Sequence, residues 1–229
     1  MALSFDPRLD ILPEAQRALW PELDSVPSSF VLYGGTALAL QLGHRVSEDF
    51  DFFSSAGFDA EWLQARLPFL RDVEPRNAEV WVQCKRDTIE AFVKGTKVAF
   101  FGGLDTLNRV HDPSLPRGSQ VQVASLVDLA GMKMRVIQMR GNWKDYADIH
   151  ALVTYGIDLT TALAAAKAID NKFVPSTSVR ALQFYGDGSL GRVPLTMQKD
   201  LVRWALAVDL GRLPTIPSRQ GLSARKENE

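Results

Sequence analysis

Asp49 and Asp51 stand two residues apart in the run Asp49-Phe50-Asp51-Phe52-Phe53. Its alternation predicts a strand. Side chains two apart on a strand share a face, so both carboxylates point one way and Phe50 and Phe52 the other. Side-by-side carboxylates repel, and a cation between them relieves the repulsion. Mg²⁺ (or Mn²⁺) suits the task, because a hard ion takes oxygen ligands from one or two carboxylates and completes its shell with substrate phosphates. The bare tripeptide equally describes an edge strand that shows acids to water.

A second element precedes it. Gly34-Gly35-Thr36 lies between a predicted strand over 29–33 and a short helix over 36–42 that Gly43 ends. Such a turn lets backbone N–H groups approach a phosphate at a helix N-terminus. The Thr36 hydroxyl can cap that helix or touch phosphate. No Lys-Ser/Thr follows the glycines, which excludes a P-loop, and the dinucleotide fingerprint lacks its third glycine. Alone, the turn also reads as plain strand-to-helix punctuation. The order is what matters: Gly34-Gly35-Thr36, then Arg45 and Ser47, then Asp49 and Asp51. A phosphate cradle one short helix before a metal-binding pair is what nucleotidyl transfer from a nucleoside triphosphate (NTP) requires. Arg45 and Ser47 are further phosphate candidates, and His44 beside them reads as a turn residue.

A third set lies downstream. On a helix over 125–140, projected at about 100° per residue, Lys133 and Arg140 share the arc of Leu126, Leu129, Ala130, Val136 and Ile137. A cation on a buried face needs a partner. Asp145 and Asp148 share the apolar arc of the next helix with Ile149 and Leu152. Two readings follow: an interhelical ion-pair staple, or a lysine, with Arg140 beside it, that faces a cleft and holds triphosphate.

The elements that must position these residues divide in two. Helix 13–24 and strands 29–33, 49–53, 78–84, 88–93 and 97–101, with a helix over 58–67 and a hairpin turn at Lys94-Gly95-Thr96, predict a mixed α/β domain over 1–122. Ser125 with Asp128 resembles a capping box that opens the helical part. Helices over 125–140, 143–155, 159–170, 176–184 and 195–210 predict a helical domain over 123–213. The polar stretch 214–229 is expected to be a disordered tail. The fold class is α+β: a mixed sheet flanked by helices, then a helical C-terminal domain.

Composition bounds the rest. The 229 residues are 46% hydrophobic and 23% charged, which excludes disorder over most of the chain. Cys84 is the single cysteine, which excludes a disulfide framework and cysteine-rich zinc sites, and His44, His111 and His150 show no ligand spacing. No apolar run reaches the roughly 18 residues of a membrane span, and the N-terminus lacks a signal pattern. A cytoplasmic protein with no membrane partner is expected. The net charge of −1 hides an asymmetry: residues 1–130 carry 12 basic and 18 acidic side chains, residues 131–229 carry 14 and 9. An acidic metal-binding half followed by a basic phosphate-attracting half fits that distribution.

Together these motifs resemble the AbiEii/AbiGii toxin family of the DNA polymerase β-like nucleotidyltransferase superfamily. The resemblance rests on Gly34-Gly35-Thr36-Ala37-Leu38, Gly43-His44-Arg45 with Ser47, Asp49-Phe50-Asp51, Lys133 with Arg140, and Asp145 with Asp148, and runs from about residue 30 to about 155. It implies a nucleotidyltransferase domain with a helical C-terminal domain and the active site between, dependent on Mg²⁺ or Mn²⁺, and an NTP substrate with release of pyrophosphate. It implies a toxin of a type IV toxin–antitoxin or phage-defence system, an RNA acceptor such as tRNA, and a winged-helix antitoxin as partner. Asp49, Asp51 and Lys133 take the catalytic roles, Gly34, Gly35, Thr36, Arg45, Ser47 and Arg140 the phosphate. Superfamily members often carry a third carboxylate on a neighbouring strand. The run Lys97–Phe101 has none, and Glu90 is the nearest candidate. A small-molecule transferase of the antibiotic-modifying kind and a non-catalytic binding module are the alternatives.

Overall fold

The run Asp49–Phe53 sits inside a six-stranded mixed sheet, and the computed structural model shows how its neighbours frame it. Residues 4–71 and 81–223 are described. In chain order the elements are β1 (Ser4–Phe5), α1 (Glu14–Leu19), β2 (Val31–Tyr33), α2 (Gly34–Leu42), β3 (Asp49–Phe53), α3 (Ala60–Arg66) and α4 (Pro68–Arg71). Then come β4 (Trp81–Lys85), β5 (Thr88–Val93), β6 (Thr96–Phe101), β7 (Asn108–Arg109), β8 (Leu115–Pro116) and β9 (Gln122–Val123). Five helices follow: α5 (Leu126–Val136), α6 (Trp143–Tyr155), α7 (Leu159–Ile169), α8 (Pro175–Ala181) and α9 (Leu195–Ala207). The part of the expected strand over 78–80 lies outside the described residues.

The chain falls into two units. One takes the residues up to Leu107, Asp112–Ser125 and the stretch from Gln220; the other takes Asn108–His111 and Leu126–Arg219. The first holds the sheet, in the order β4-β5-β6-β3-β2-β9. β3 pairs antiparallel with β2 and parallel with β6. Period-2 patterning makes one face of it apolar: Phe50, Phe52, Ile89, Ala91, Val98 and Phe100 are all buried. Phe52 and Phe100 stack with ring centroids 5.1 Å apart. Fully burying each such side chain contributes on the order of 1.5–3 kcal/mol. The two-residue turn Lys94-Gly95 has φ 50 and 77, a left-handed pair that matches hairpin twist between β5 and β6. Cys84 is exposed on β4, an edge strand, and burial nearby pushes its thiol up, away from activation.

The stretch 214–229 is not a loose tail in its described part. Leu222 is fully buried, its N–H donates to Ser55 Oγ at 2.7 Å, and the Ser223 hydroxyl donates to the Ser28 carbonyl at 2.8 Å. One apolar side chain in a polar run was enough to anchor it.

The second unit is helical. A Cβ on Gly131 of α5 would stand 2.7 Å from Ile169 Cδ1 and 2.8 Å from the Ala166 backbone nitrogen of α7, so glycine permits close approach there. Asn142 and Asp158 cap α6 and α7 by accepting from the N–H groups of Lys144 and Thr161. Asp128 on α5 accepts the N–H groups of Val110 at 2.7 Å and His111 at 3.0 Å. Among the described residues no single helix is long and apolar enough to cross a membrane.

Candidate active site

The glycine turn and the carboxylate strand form one packed piece. β2 runs straight into α2, which begins at Gly34 rather than at Thr36. Antiparallel register sets Tyr33 opposite Asp51, so the turn opens beside that carboxylate. Gly34 has φ +74, a conformation that strains any residue with a Cβ. A Cβ there would also stand 2.7 Å from Asp51 Oδ2. One on Gly35 would stand 2.6 Å from an Arg45 guanidinium nitrogen and 2.7 Å from Ser47 Oγ. Only glycines let the backbone lie against Asp51, Arg45 and Ser47 at once. Arg45 also donates to the Val46 carbonyl at 2.9 Å. Thr36 is buried, and its hydroxyl donates to the Asp49 backbone carbonyl. That bond uses the hydroxyl's one proton. Thr36 therefore ties turn to strand, and because α2 begins at Gly34 its N-cap position is Tyr33 and not Thr36.

Asp49 is exposed and Asp51 half-buried on the polar face of the sheet. On the neighbouring parallel strand β6, Lys97 lies opposite Asp49 and Ala99 opposite Asp51. One strand further, Glu90 on β5 lies opposite Ala99. The row Asp51–Ala99–Glu90 thus crosses three strands, with about 10 Å between its outer backbones. Glu90 makes a 2.8 Å ion pair with Lys97. The hydrogen bond from Lys97 holds the Glu90 carboxyl below its usual range, and the same bond, with the Asp49 and Asp51 charges beyond it, holds the Lys97 ammonium above its own. Lys97 escapes sequence reasoning because its relation to Asp49 is a register between strands 48 residues apart.

Among the described residues no group of three or more His, Cys, Asp or Glu side chains could hold a metal ion. The donor set here is a pair of carboxylates. That fits Mg²⁺ or Mn²⁺ completed by substrate phosphate, and does not fit a closed protein cage.

The second unit holds the other predicted residues in one cluster. Lys133 Nζ lies 2.7 Å from Asp145 and 2.6 Å from Asp148. Arg140 Nε donates to Asp145 at 2.9 Å. The side chains of Asp145 and Asp148 are 1% and 0% exposed, so two cations face two fully desolvated carboxylates and the formal charges cancel. The arc reading holds for Lys133, but α5 ends at Val136 rather than Arg140, so Arg140 lies off the helix and reaches Asp145 from the segment before α6. Lys133 is 9% exposed there, whereas the Arg140 side chain is 60% exposed. Arg135, on the opposite side of α5, pairs with Asp170 at 2.7 Å.

The sequence matches, over residues 22–190, the family model described as nucleotidyl transferase AbiEii toxin, type IV TA system. The uncharacterized protein aq_aa25 of Aquifex aeolicus (strain VF5) is 30% identical over 163 residues, 70% of this chain and 75% of that protein. Among solved structures, MenT4, a nucleotidyltransferase toxin from Mycobacterium tuberculosis H37Rv, is similar with a TM-score of 0.56 at 17% identity, covering 89% of this chain and 84% of its own. A candidate nucleotidyltransferase from H. pylori is similar with a TM-score of 0.50 at 17% identity, covering 84% and 91%. At that identity the two structures show a shared fold. The family model spans most of the chain, and the chain belongs to the AbiEii family of nucleotidyltransferase toxins.

Proposed function

We propose that this AbiEii-family nucleotidyltransferase moves a nucleoside monophosphate from an NTP to a hydroxyl of an RNA acceptor, with tRNA the leading candidate, in a metal-dependent reaction. The observation that carries the reading is the close approach of Asp51, Arg45 and Ser47 to Gly34 and Gly35, into the space a Cβ would take. It supports a phosphate cradle built against a carboxylate pair. Asp49 and Asp51 would hold Mg²⁺ or Mn²⁺, which when bound neutralises phosphate charge. Gly34 and Gly35 would orient the β- and γ-phosphates through the turn backbone, and Arg45 and Ser47 would add polar contacts. Thr36 keeps turn and strand in register. By the family resemblance Lys133 and Arg140 would contribute to holding triphosphate, and Asp145 and Asp148 hold Lys133 in place. The acceptor oxygen bonds to the α-phosphorus, the bond to the bridging oxygen breaks, and the hydroxyl proton passes to solvent.

The basic excess of residues 131–229 favours a polyanionic acceptor over a cationic small molecule. As the toxin of a type IV system the chain has an antitoxin counterpart, which we take to be a winged-helix protein, and both would act in the cytoplasm. The test is incubation with each labelled NTP, Mg²⁺ and total RNA. Label should enter RNA with wild-type protein and not with Asp49→Asn/Asp51→Asn. Label entering RNA at an undiminished rate with that variant would overturn the metal site, and label entering only small molecules would overturn the acceptor.

A further inference from the structure

The polar face around the carboxylate pair carries more than acids. Directly paired residues on neighbouring strands share a face, so Asp49, Asp51, Lys97, Ala99 and Glu90 all belong to it. The place beside Asp51 on β6, where a further carboxylate would grip a second ion, holds the methyl group of Ala99. The place beside Asp49 holds Lys97, a cation. Glu90, the remaining acid, is occupied by that same lysine at 2.8 Å. Across β3, β5 and β6 the face thus has three carboxylates and one ammonium, a formal charge of −2. One divalent ion neutralises it, and a second would leave it as positive as it began negative. Lys85 on β4 lies on the same face beyond Glu90 and adds further positive charge.

We infer that Lys97 supplies, as a fixed side chain, the positive charge a second divalent ion would bring, so that Asp49 and Asp51 take a single ion. The inference rests on the carboxylate pair being the metal site. Lys97 is a positioning residue: it touches Glu90 and acts on bound metal through charge.

The test is Mn²⁺ titration of the full chain without nucleotide, followed by electron paramagnetic resonance of the free ion. Wild type should bind one Mn²⁺ per chain. Lys97→Gln should bind it roughly tenfold tighter, as expected for removing a positive charge that stands opposite Asp49 on the neighbouring strand. Lys97→Arg should match wild type, and adding Ala99→Asp to Lys97→Gln should raise the stoichiometry to two. A thermal melt by circular dichroism checks that each variant folds. Two ions bound by wild type, or one ion that Lys97→Gln does not tighten, would overturn the role of Lys97 and leave the carboxylate site standing. No binding by wild type would overturn the carboxylate site itself, and this inference with it.

Discussion

Replacing Lys133 by Met tests whether the buried cluster in the second unit is held by its ammonium. The side chain keeps its length and loses its charge. It leaves behind two carboxylates, 1% and 0% exposed, that had been 2.7 and 2.6 Å from Nζ. Removing one partner of a buried pair costs about 3–5 kcal/mol, because the remaining charge stays desolvated. Arg140, at 2.9 Å from Asp145, offsets part of that and sets the expectation at about 3 kcal/mol. Set against a total stability of about 5–15 kcal/mol, this is a large fraction. Urea titration without ligand measures it directly, provided the slope is unchanged. Adding Asp145→Asn and Asp148→Asn should recover at least half of the loss, since neutral amides tolerate the same burial far better than charges. A loss below about 1 kcal/mol would show that the two carboxylates do not depend on Lys133. The staple would then be wrong, and any activity defect of the variant would come from contact with substrate alone.

Gly34→Ala should cost about 1–2 kcal/mol in backbone strain at φ +74, and more through the 2.7 Å approach to Asp51, with weaker Mn²⁺ binding as the specific readout. Thr36→Val should remove the part-buried hydrogen bond to the Asp49 carbonyl, costing about 0.5–1.5 kcal/mol by urea titration and slowing transfer without changing which NTP is used. Leu222→Ala should destabilise by about 2–4 kcal/mol, which a free tail would not. The Glu90–Lys97 pair makes a pH prediction. The lowered Glu90 carboxyl contributes stability above its unfolded value of 4.5 and loses it as pH falls through the folded value, whereas the raised Lys97 contributes below 10.5 and loses it as pH rises. Glu90→Gln should therefore flatten the acid limb of a stability–pH curve below about pH 4.5, and an unchanged limb would count against the pair.

Local pattern carried much of this molecule. The alternation of Asp49–Phe53 located β3 to the residue, and the helical arc of Asp145, Asp148, Ile149 and Leu152 described the buried side of α6. Gly34-Gly35 was recognisable as a turn, although only the structure shows what the missing side chains make room for. The failures share a cause. Lys97 lies near the aspartates through a parallel pairing, and Leu222 reaches back to Ser55. Each depends on contacts between residues far apart in sequence, which periodicity does not encode. The bond from Thr36 to the Asp49 carbonyl is likewise set by packing, which decides which acceptor receives a hydroxyl's one proton.

The anchoring of Leu222 and Ser223 has a consequence for the order of synthesis. The unit that carries Gly34, Asp49 and Asp51 has its sheet in place by Ser125, yet it is closed by residues that follow the whole helical unit. At about 5–20 residues per second, the ribosome needs roughly 5–20 s to pass from Ser125 to Gln220. During that interval the carboxylate-bearing unit exists without its last strap. A cell that makes this toxin thus completes the carboxylate-bearing unit only after the helical unit has been translated.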